Sequence, residues 1–269
     1  MPVSRTVEPG SPDGVNRPGS QRAPEGMAGL AKGLAVIEAF GQVSRLTVAE
    51  AAQRTDITRA AARRCLLTLT DLGYLTHDGK NFRPTPRMLR LGGAYLDTAS
   101  LPTLARPHLT AARDALTESV SLAVWEDGGS VFVARAEAKR IVSTGVRIGA
   151  RLPGHCSATG RVLLAGMSDE EVAAYLAAGG RERRTTHTVV APDELTAIVR
   201  AARADGYATS DEELELGLRA VAVPVRDARG VTVAAMSVSA SSARVTAAEM
   251  HRAFVPVLAA EASLLSRKL

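Results

Sequence analysis

Arg59, Ala60, Arg63 and Arg64 recur at the spacing that gathers them on one side of an α-helix. Guanidinium groups beside a small side chain let such a helix approach a groove wall. Arginine either bonds bidentately to guanine O6/N7 or neutralises a phosphate, and the spacing leaves open which residue does which. His77, Lys80 and Arg83 add further positive or titratable groups shortly downstream, so duplex DNA is the first partner to consider. A second cluster, His155-Cys156-Ser157, sets an imidazole, a thiol and a hydroxyl in succession. A thiolate nucleophile needs a base within hydrogen-bond reach, and adjacent side chains usually point apart. Cys156 therefore reads as a small apolar wall residue, with an enzyme using Cys156 as the alternative. His108, His187 and His251 have no metal-ligand spacing, so neither metal nor cofactor is expected.

The elements that position the arginines are legible around them. Residues 29–40 read as a first helix with Leu30, Leu34, Ile37 and Phe40 as its apolar stripe. Thr47-Val48-Ala49-Glu50 has the form of a capping box opening a second helix, which stops near Arg54 in the turn Thr55-Asp56-Ile57. Thr58 caps a third helix over 59–72 that turns Ala62, Cys65, Leu66, Leu69 and Leu72 inward and ends at Gly73. Tyr74-Leu75-Thr76-His77 then alternates as a strand, Asp78-Gly79 suggests a type I′ turn, and residues 80–83 return. The product is a winged helix-turn-helix. Thr47 and Thr58, at the two helix heads, join the arginines, Ala60, His77, Lys80 and Arg83 as candidate DNA contacts. Pro86 opens a linker helix to about residue 99, exposing Leu89, Tyr95 and Leu96 towards a second subunit.

The remainder changes character. Residues 120–125 and 131–136 flank Asp127-Gly128-Gly129 as a hairpin, 141–146 form another strand, and 220–225 with 231–239 make a second hairpin. Helices are expected over 155–165, 169–178, 193–204 and from Thr246 to about Ser266. Hairpins with helices gathered beside them indicate an α+β fold: the winged helix-turn-helix, a linker helix, and an antiparallel-sheet, GAF/PAS-like effector domain. The expected boundaries are a disordered Pro/Gly-rich tail over 1–27, a DNA-binding domain over 28–85, a linker helix over 86–103 and an effector domain over 104–269.

The formal net charge is +5, and residues 27–99 hold ten basic against six acidic side chains, so nearly all the excess lies in the first domain. Two cysteines, far apart, argue against a disulfide framework. No apolar run reaches bilayer length and no signal-peptide core opens the chain, so the expectation is a cytoplasmic protein with no membrane partner.

The motifs Gly33-Leu34-Ala35-Val36-Ile37, Ala60-Ala61-Ala62-Arg63-Arg64 and Asp71-Leu72-Gly73-Tyr74-Leu75 resemble those of the IclR family of bacterial transcriptional regulators. So do Leu152-Pro153-Gly154-His155-Cys156-Ser157-Ala158-Thr159-Gly160-Arg161 and Gly206-Tyr207-Ala208-Thr209-Ser210-Asp211-Glu212-Glu213, followed by Gly217-Leu218-Arg219-Ala220-Val221. The likeness spans about residues 28–267. Arg59-Ala60, Arg63-Arg64 and Phe82-Arg83-Pro84-Thr85-Pro86-Arg87 look closest to regulators of aromatic-acid (β-ketoadipate pathway) catabolism. The resemblance implies a homodimer, or a dimer of dimers, on a palindromic operator, with a second domain that binds a small organic acid. Family effector positions match Ala158, Thr159, Ser210, Leu218, Ala220, Ser237 and Ser239. Some members that bind small α-keto acids carry Asp and Cys where this chain has Ser210 and Ala220, which leaves room for a different or larger ligand.

The residues themselves agree. Ser157 and Thr159 deliver hydroxyls to a helix start that suits a carboxylate, and Arg219 or Arg147 is the candidate counter-ion. With His155 and Cys156 beside them, these complete the candidate effector site. A ligand-free architectural DNA-binding protein is the remaining alternative, and the well-patterned second domain of some 160 residues argues against it.

Overall fold

The computed structural model describes residues 26–41, 43–98, 100–138 and 147–269. The tail and the strand expected over 141–146 fall on, or almost wholly on, residues outside that set. The chain divides into two compact units between Gly92 and Gly93.

The first unit opens with α1 (Ala28–Glu38), α2 (Val48–Thr55) and α3 (Arg59–Asp71). The capping box at Thr47 is complete: Glu50 Oε2 accepts from Thr47 N–H at 2.7 Å, and Thr47 Oγ1 accepts from Glu50 N–H at 3.3 Å. Asp56 ends α2 in the left-handed region, Thr58 caps α3 by accepting from Ala61 N–H, and Gly73 follows α3 at φ +78°. The core joins Val36, Phe40, Leu46, Ala51, Leu66, Leu69, Leu75 and Phe82.

Three expectations here are corrected. Val36 is the buried residue of α1, and Phe40 is buried just past its end as expected, while Leu30 and Leu34 stand 61% and 48% exposed. Leu72 is exposed as well, because α3 has already stopped at Asp71. The wing pairs β1 (Leu75–His77) with β2 (Phe82–Pro84), His77 opposite Phe82, so the turn centres on Gly79-Lys80 rather than Asp78-Gly79. Only Gly79, at φ +95°, is left-handed there, the sign pattern of type II′. Asp78 forces the shift: its carboxylate accepts from the N–H groups of Lys80 (3.1 Å) and Asn81 (2.7 Å), which hold its pKa down at about 2.

A 3₁₀ turn (Pro86–Met88) leads into α4 (Leu89–Thr98), within which the two units divide. Leu89 and Tyr95 are exposed; the Leu96 side chain lies outside the described residues. The linker does not end the helical region, because α5 (Ser100–Leu116) follows and buries Ala105, Leu109 and Ala112 in the second unit.

Among the described residues, that unit holds a six-stranded antiparallel sheet. Its strands are β3 (Val120–Glu126), β4 (Gly129–Ala136), β5 (Arg151–Pro153), β6 (Ala208–Asp211), β7 (Leu218–Arg226) and β8 (Thr232–Ser241), in the order β5-β4-β3-β8-β7-β6. The two hairpins meet where β3 pairs with β8. Strand periodicity sends successive side chains to opposite faces. One face carries Leu122, Val221, Val223, Val225, Met236 and Val238, packed with α5 and the last helix. The other face carries Ala222 and Ala235, small enough for α6 (Ala158–Ala165) to lie close.

Helices α7 (Asp169–Ala177) and α8 (Pro192–Asp205) flank α6. The C-terminal helix is not continuous: α9 (Ala247–Glu249) and α10 (Val255–Ser266) are separated by a π-helical turn at Met250–Phe254. Pro256, lacking an N–H, stands two residues past the end of that turn, which accounts for the widened hydrogen-bond pattern.

The approach of α6 to the preceding loop depends on a missing side chain. A Cβ on Gly160 would sit 2.4 Å from Gly154 Cα and 2.5 Å from its carbonyl oxygen. Backbone cannot give way as a flexible side chain does, so Gly160→Ala should destabilise the unit by about 1–3 kcal/mol, towards the upper end. A drop in Tm of less than a degree would show that α6 can slide away at no cost.

Candidate DNA interface and effector cavity

On α3 the side chains of Arg59, Ala60, Arg63 and Arg64 are all exposed, opposite the buried Ala62, Leu66 and Leu69. Thr58 caps the head of that helix and Thr47 the head of α2. His77 and Lys80 are exposed on the wing, where the His77 ring stacks on Phe82 at 4.1 Å. Arg83 lies 3.9 Å from the Asp78 carboxylate, an exposed pair that leaves the guanidinium available to an anion. Arg87, absent from the sequence-based set, places its guanidinium 5.3 Å from the Tyr74 ring beside the end of α3. The whole first unit thus presents one helix face and one hairpin studded with cations.

The second unit holds a cavity of about 500 Å³, counting space open to solvent, between the small-residue face of the sheet and the head of α6. It brings together Ser157, Ala158, Thr159, Ser210, Leu218, Ala220, Ser237 and Ser239 from the sequence-based set. The strands set these positions: Ser239 pairs with Ala220 across β8 and β7, and Ala220 with Ser210 across β7 and β6. Ser157 is the N-cap of α6, accepting from Gly160 N–H and donating to the Pro153 carbonyl at 2.7 Å. The hydroxyls of Thr159 and Ser130 bond to each other at 2.7 Å.

Four sequence-based candidates do not line the cavity. His155 bonds through Nε2 to the Glu182 carbonyl at 3.1 Å, and burial lowers its pKa below the ordinary histidine value. Cys156 is fully buried, and that burial pushes its thiol up to about 11, far from a thiolate nucleophile at neutral pH. Arg219 forks onto Asp211 at 2.8 and 3.0 Å, its register partner on β6. Arg147, the other proposed counter-ion, is exposed and absent from the lining.

The guanidinium that lines the cavity is Arg135, on β4, with its side chain only 5% exposed. Its Nη1 donates to Ser121 Oγ at 2.9 Å, and Ser121 lies directly opposite in the β3–β4 register. Burial lowers its pKa from the ordinary arginine value. Ser119, Ser121, Phe132, Leu152 and Leu214 are further lining residues that the sequence did not signal. Arg135 stands between Ala134 and Ala136, which face the opposite core, and a bulge opposite Leu122 and Ala123 breaks the alternation before it, which hid its side from the sequence.

Beneath the site, the buried Arg161 forks onto Glu213, with both contacts at 2.6 Å, and donates to the carbonyls of His155 (2.9 Å) and Thr209 (2.8 Å). Glu213 also accepts from Val189 N–H at 3.1 Å. This clamp ties the loop before α6 and the strand bearing Ser210 to the segment that supplies Leu214.

Comparison with known proteins matches both units. Residues 29–79 fit the IclR helix-turn-helix domain, and residues 93–267 fit the family described as bacterial transcriptional regulator IclR C-terminal.

The chain belongs to the IclR family.

Among IclR-family relatives, the Pca regulon regulatory protein of Pseudomonas putida is 42% identical over 91% of this chain and 85% of its own length. The p-hydroxybenzoate hydroxylase transcriptional activator of Acinetobacter baylyi is 38% identical over 88% of this chain and 90% of its own. The crystal structure of an IclR homolog from Microbacterium hydrocarbonoxydans, complexed with 4-hydroxybenzoate, superposes with a TM-score of 0.74 at 25% identity, covering 90% of this chain and 99% of that one. IclR proteins are DNA-binding transcriptional regulators, so this one is a regulator and not an enzyme built on Cys156. Among the described residues no helix is long and apolar enough to cross a membrane.

Proposed function

We propose that this IclR-family protein is a homodimeric regulator of bacterial transcription. It sets two copies of α3 into successive major grooves of a palindromic operator and changes its grip when a small organic acid fills the second-unit cavity. The observation that carries this reading is a pair of features in one chain: an exposed arginine face on a doubly capped helix-turn-helix, and a hydroxyl-lined cavity holding a buried guanidinium. Arg59, Arg63 and Arg64 would meet base edges or phosphates, with Thr47 and Thr58 at the helix heads and His77, Lys80 and Arg83 on the wing against the backbone. Exposed Leu30 and Leu34 on α1, with Leu89 and Leu91 on α4, supply the apolar surface that a second copy would cover. Such a protein works where the chromosome is, in the cytoplasm.

The names of the two relatives and the ligand of the homologous crystal structure favour an aromatic acid as effector. Binding to one of two arrangements of the dimer shifts the population towards it, and that shift is the signal. Footprinting on DNA flanking the protein's own gene, titrated with 4-hydroxybenzoate and related acids, tests the reading. Two protected half-sites about one helical turn apart, or a multiple of it, are expected, with occupancy that the acid changes. Protection that no acid alters would leave an architectural DNA-binding protein instead.

A further inference from the structure

We propose that Ala60 is the residue of α3 that meets the floor of the major groove, where its methyl group packs against the methyl of a thymine in each half-site. This rests on the reading that α3 enters the groove, and adds a base preference to it. The phase of the helix makes the assignment. Ala61, Ala62, Leu66 and Leu69 are its buried residues, and they fix which way α3 faces the core. At about 100° per residue, Ala60 stands within about 10° of the direction opposite their mean, at the crown of the exposed side. Arg63 lies about 60° to one side of that crown and Arg64 about 40° to the other, each roughly one turn further along. Arg59 falls beyond Arg63, about 100° from the crown.

The alanine and the arginines therefore have different parts. An α-helix is about 10–12 Å across with its side chains and the major groove is about 12 Å wide, so the depth of entry depends on what stands at the crown. A guanidinium there would hold the helix off the bases by the length of its side chain. With alanine there, the backbone comes down to the base edges while Arg63 and Arg64 diverge towards the two walls. All four side chains are exposed, and among the described residues no carboxylate pairs with Arg59, Arg63 or Arg64. Ala60 has only a methyl group to offer, and thymine is the base that presents one in the major groove. Bringing the two together removes apolar surface from water. Leu67 and Asp71 lie within about 20° of the same line, about two and three turns on. Leu67 packs against the core of the unit, and the Asp71 carboxylate would repel phosphates, so the first two turns of α3 are the part that enters. Alanine is also a good helix former, and on that account alone any good helix former would serve at position 60.

Selection of duplexes bound by the full-length protein from a random pool, followed by replacing each thymine in turn with deoxyuridine, tests this. Deoxyuridine keeps the base pair and loses only the methyl. For the wild type, one thymine in each half-site should lose about fourfold or more in affinity when its methyl is removed. Ala60→Gly should bind the unsubstituted duplex about fourfold more weakly and show no further loss on that replacement. Ala60→Leu, a comparable helix former, should lower affinity for the selected duplex about thirtyfold or more while leaving the Tm of the protein unchanged. Wild-type binding that is indifferent to every thymine methyl would overturn the assignment, as would an Ala60→Leu variant that binds like the wild type. A methyl effect that persists in Ala60→Gly would overturn it too, because another residue would then be reading that thymine. Unchanged affinity with alanine at Arg59, Arg63 and Arg64 together would overturn the entry of α3 into the groove, a distinct result.

Discussion

Glu213→Gln is expected to lower the stability of the second unit by about 3–5 kcal/mol, the range for breaking a buried ion pair by removing one charge. Arg161 and Glu213 are 4% and 10% exposed as side chains, so little water is available to solvate the survivor. The amide is close in shape but carries no charge, and its NH₂ group would face a guanidinium N–H where a carboxylate oxygen now accepts at 2.6 Å. The Val189 N–H bond is put at risk as well. Replacing both partners, with Arg161→Met and Glu213→Leu together, should not restore full stability. Arg161 also satisfies the carbonyls of His155 and Thr209, and these would be left buried and unpaired. The chain's single tryptophan, Trp125, packs against Tyr175 in the same unit and gives a clean fluorescence readout of its denaturant unfolding. A shift below 1 kcal/mol would mean that the clamp does not hold the unit together.

The second large effect belongs to DNA. Arg63→Ala should cost about 1–3 kcal/mol of operator affinity if the guanidinium reads a base, and the loss should concentrate at one position of each half-site. If Arg63 meets only phosphate, affinity should fall evenly across operator variants, and the slope of log K against log salt should shrink by about one for each site. Fold stability should barely change, since Arg63 is exposed and the core side of α3 is carried by Ala62, Leu66 and Leu69. Alanine at Arg59, Arg63 and Arg64 together, without any change in affinity, would remove α3 from the interface.

The parts that were readable from the chain were those with local causes. Caps at Thr47 and Thr58 mark helix starts through a side chain and a backbone group three residues on, and both are formed. Hairpins around Asp127 and Asp227 follow from alternation flanking turn residues. What escaped was set by tertiary context. Pro102 and Pro107 obscure α5, which the buried Ala105, Leu109 and Ala112 hold helical nonetheless. The phase of α1 was ambiguous because Leu34, Val36 and Ile37 are apolar on several sides, and only the position of the other helices selects Val36. Arg219 stood out beside a family motif, yet the β6–β7 register hands it Asp211. Arg135 carried no motif at all, and its role depends on a strand pairing across fourteen residues of sequence.

The division of labour between the two faces of the sheet has an evolutionary consequence. Residues that line the cavity alternate with those that hold the domain together, so exchanging a serine on β3 or β8 should reshape the cavity without disturbing the branched side chains behind it. Descendants of such a receptor can drift from one metabolite to another by single substitutions, keeping the same thermal tolerance and the same instructions to the DNA-bound half.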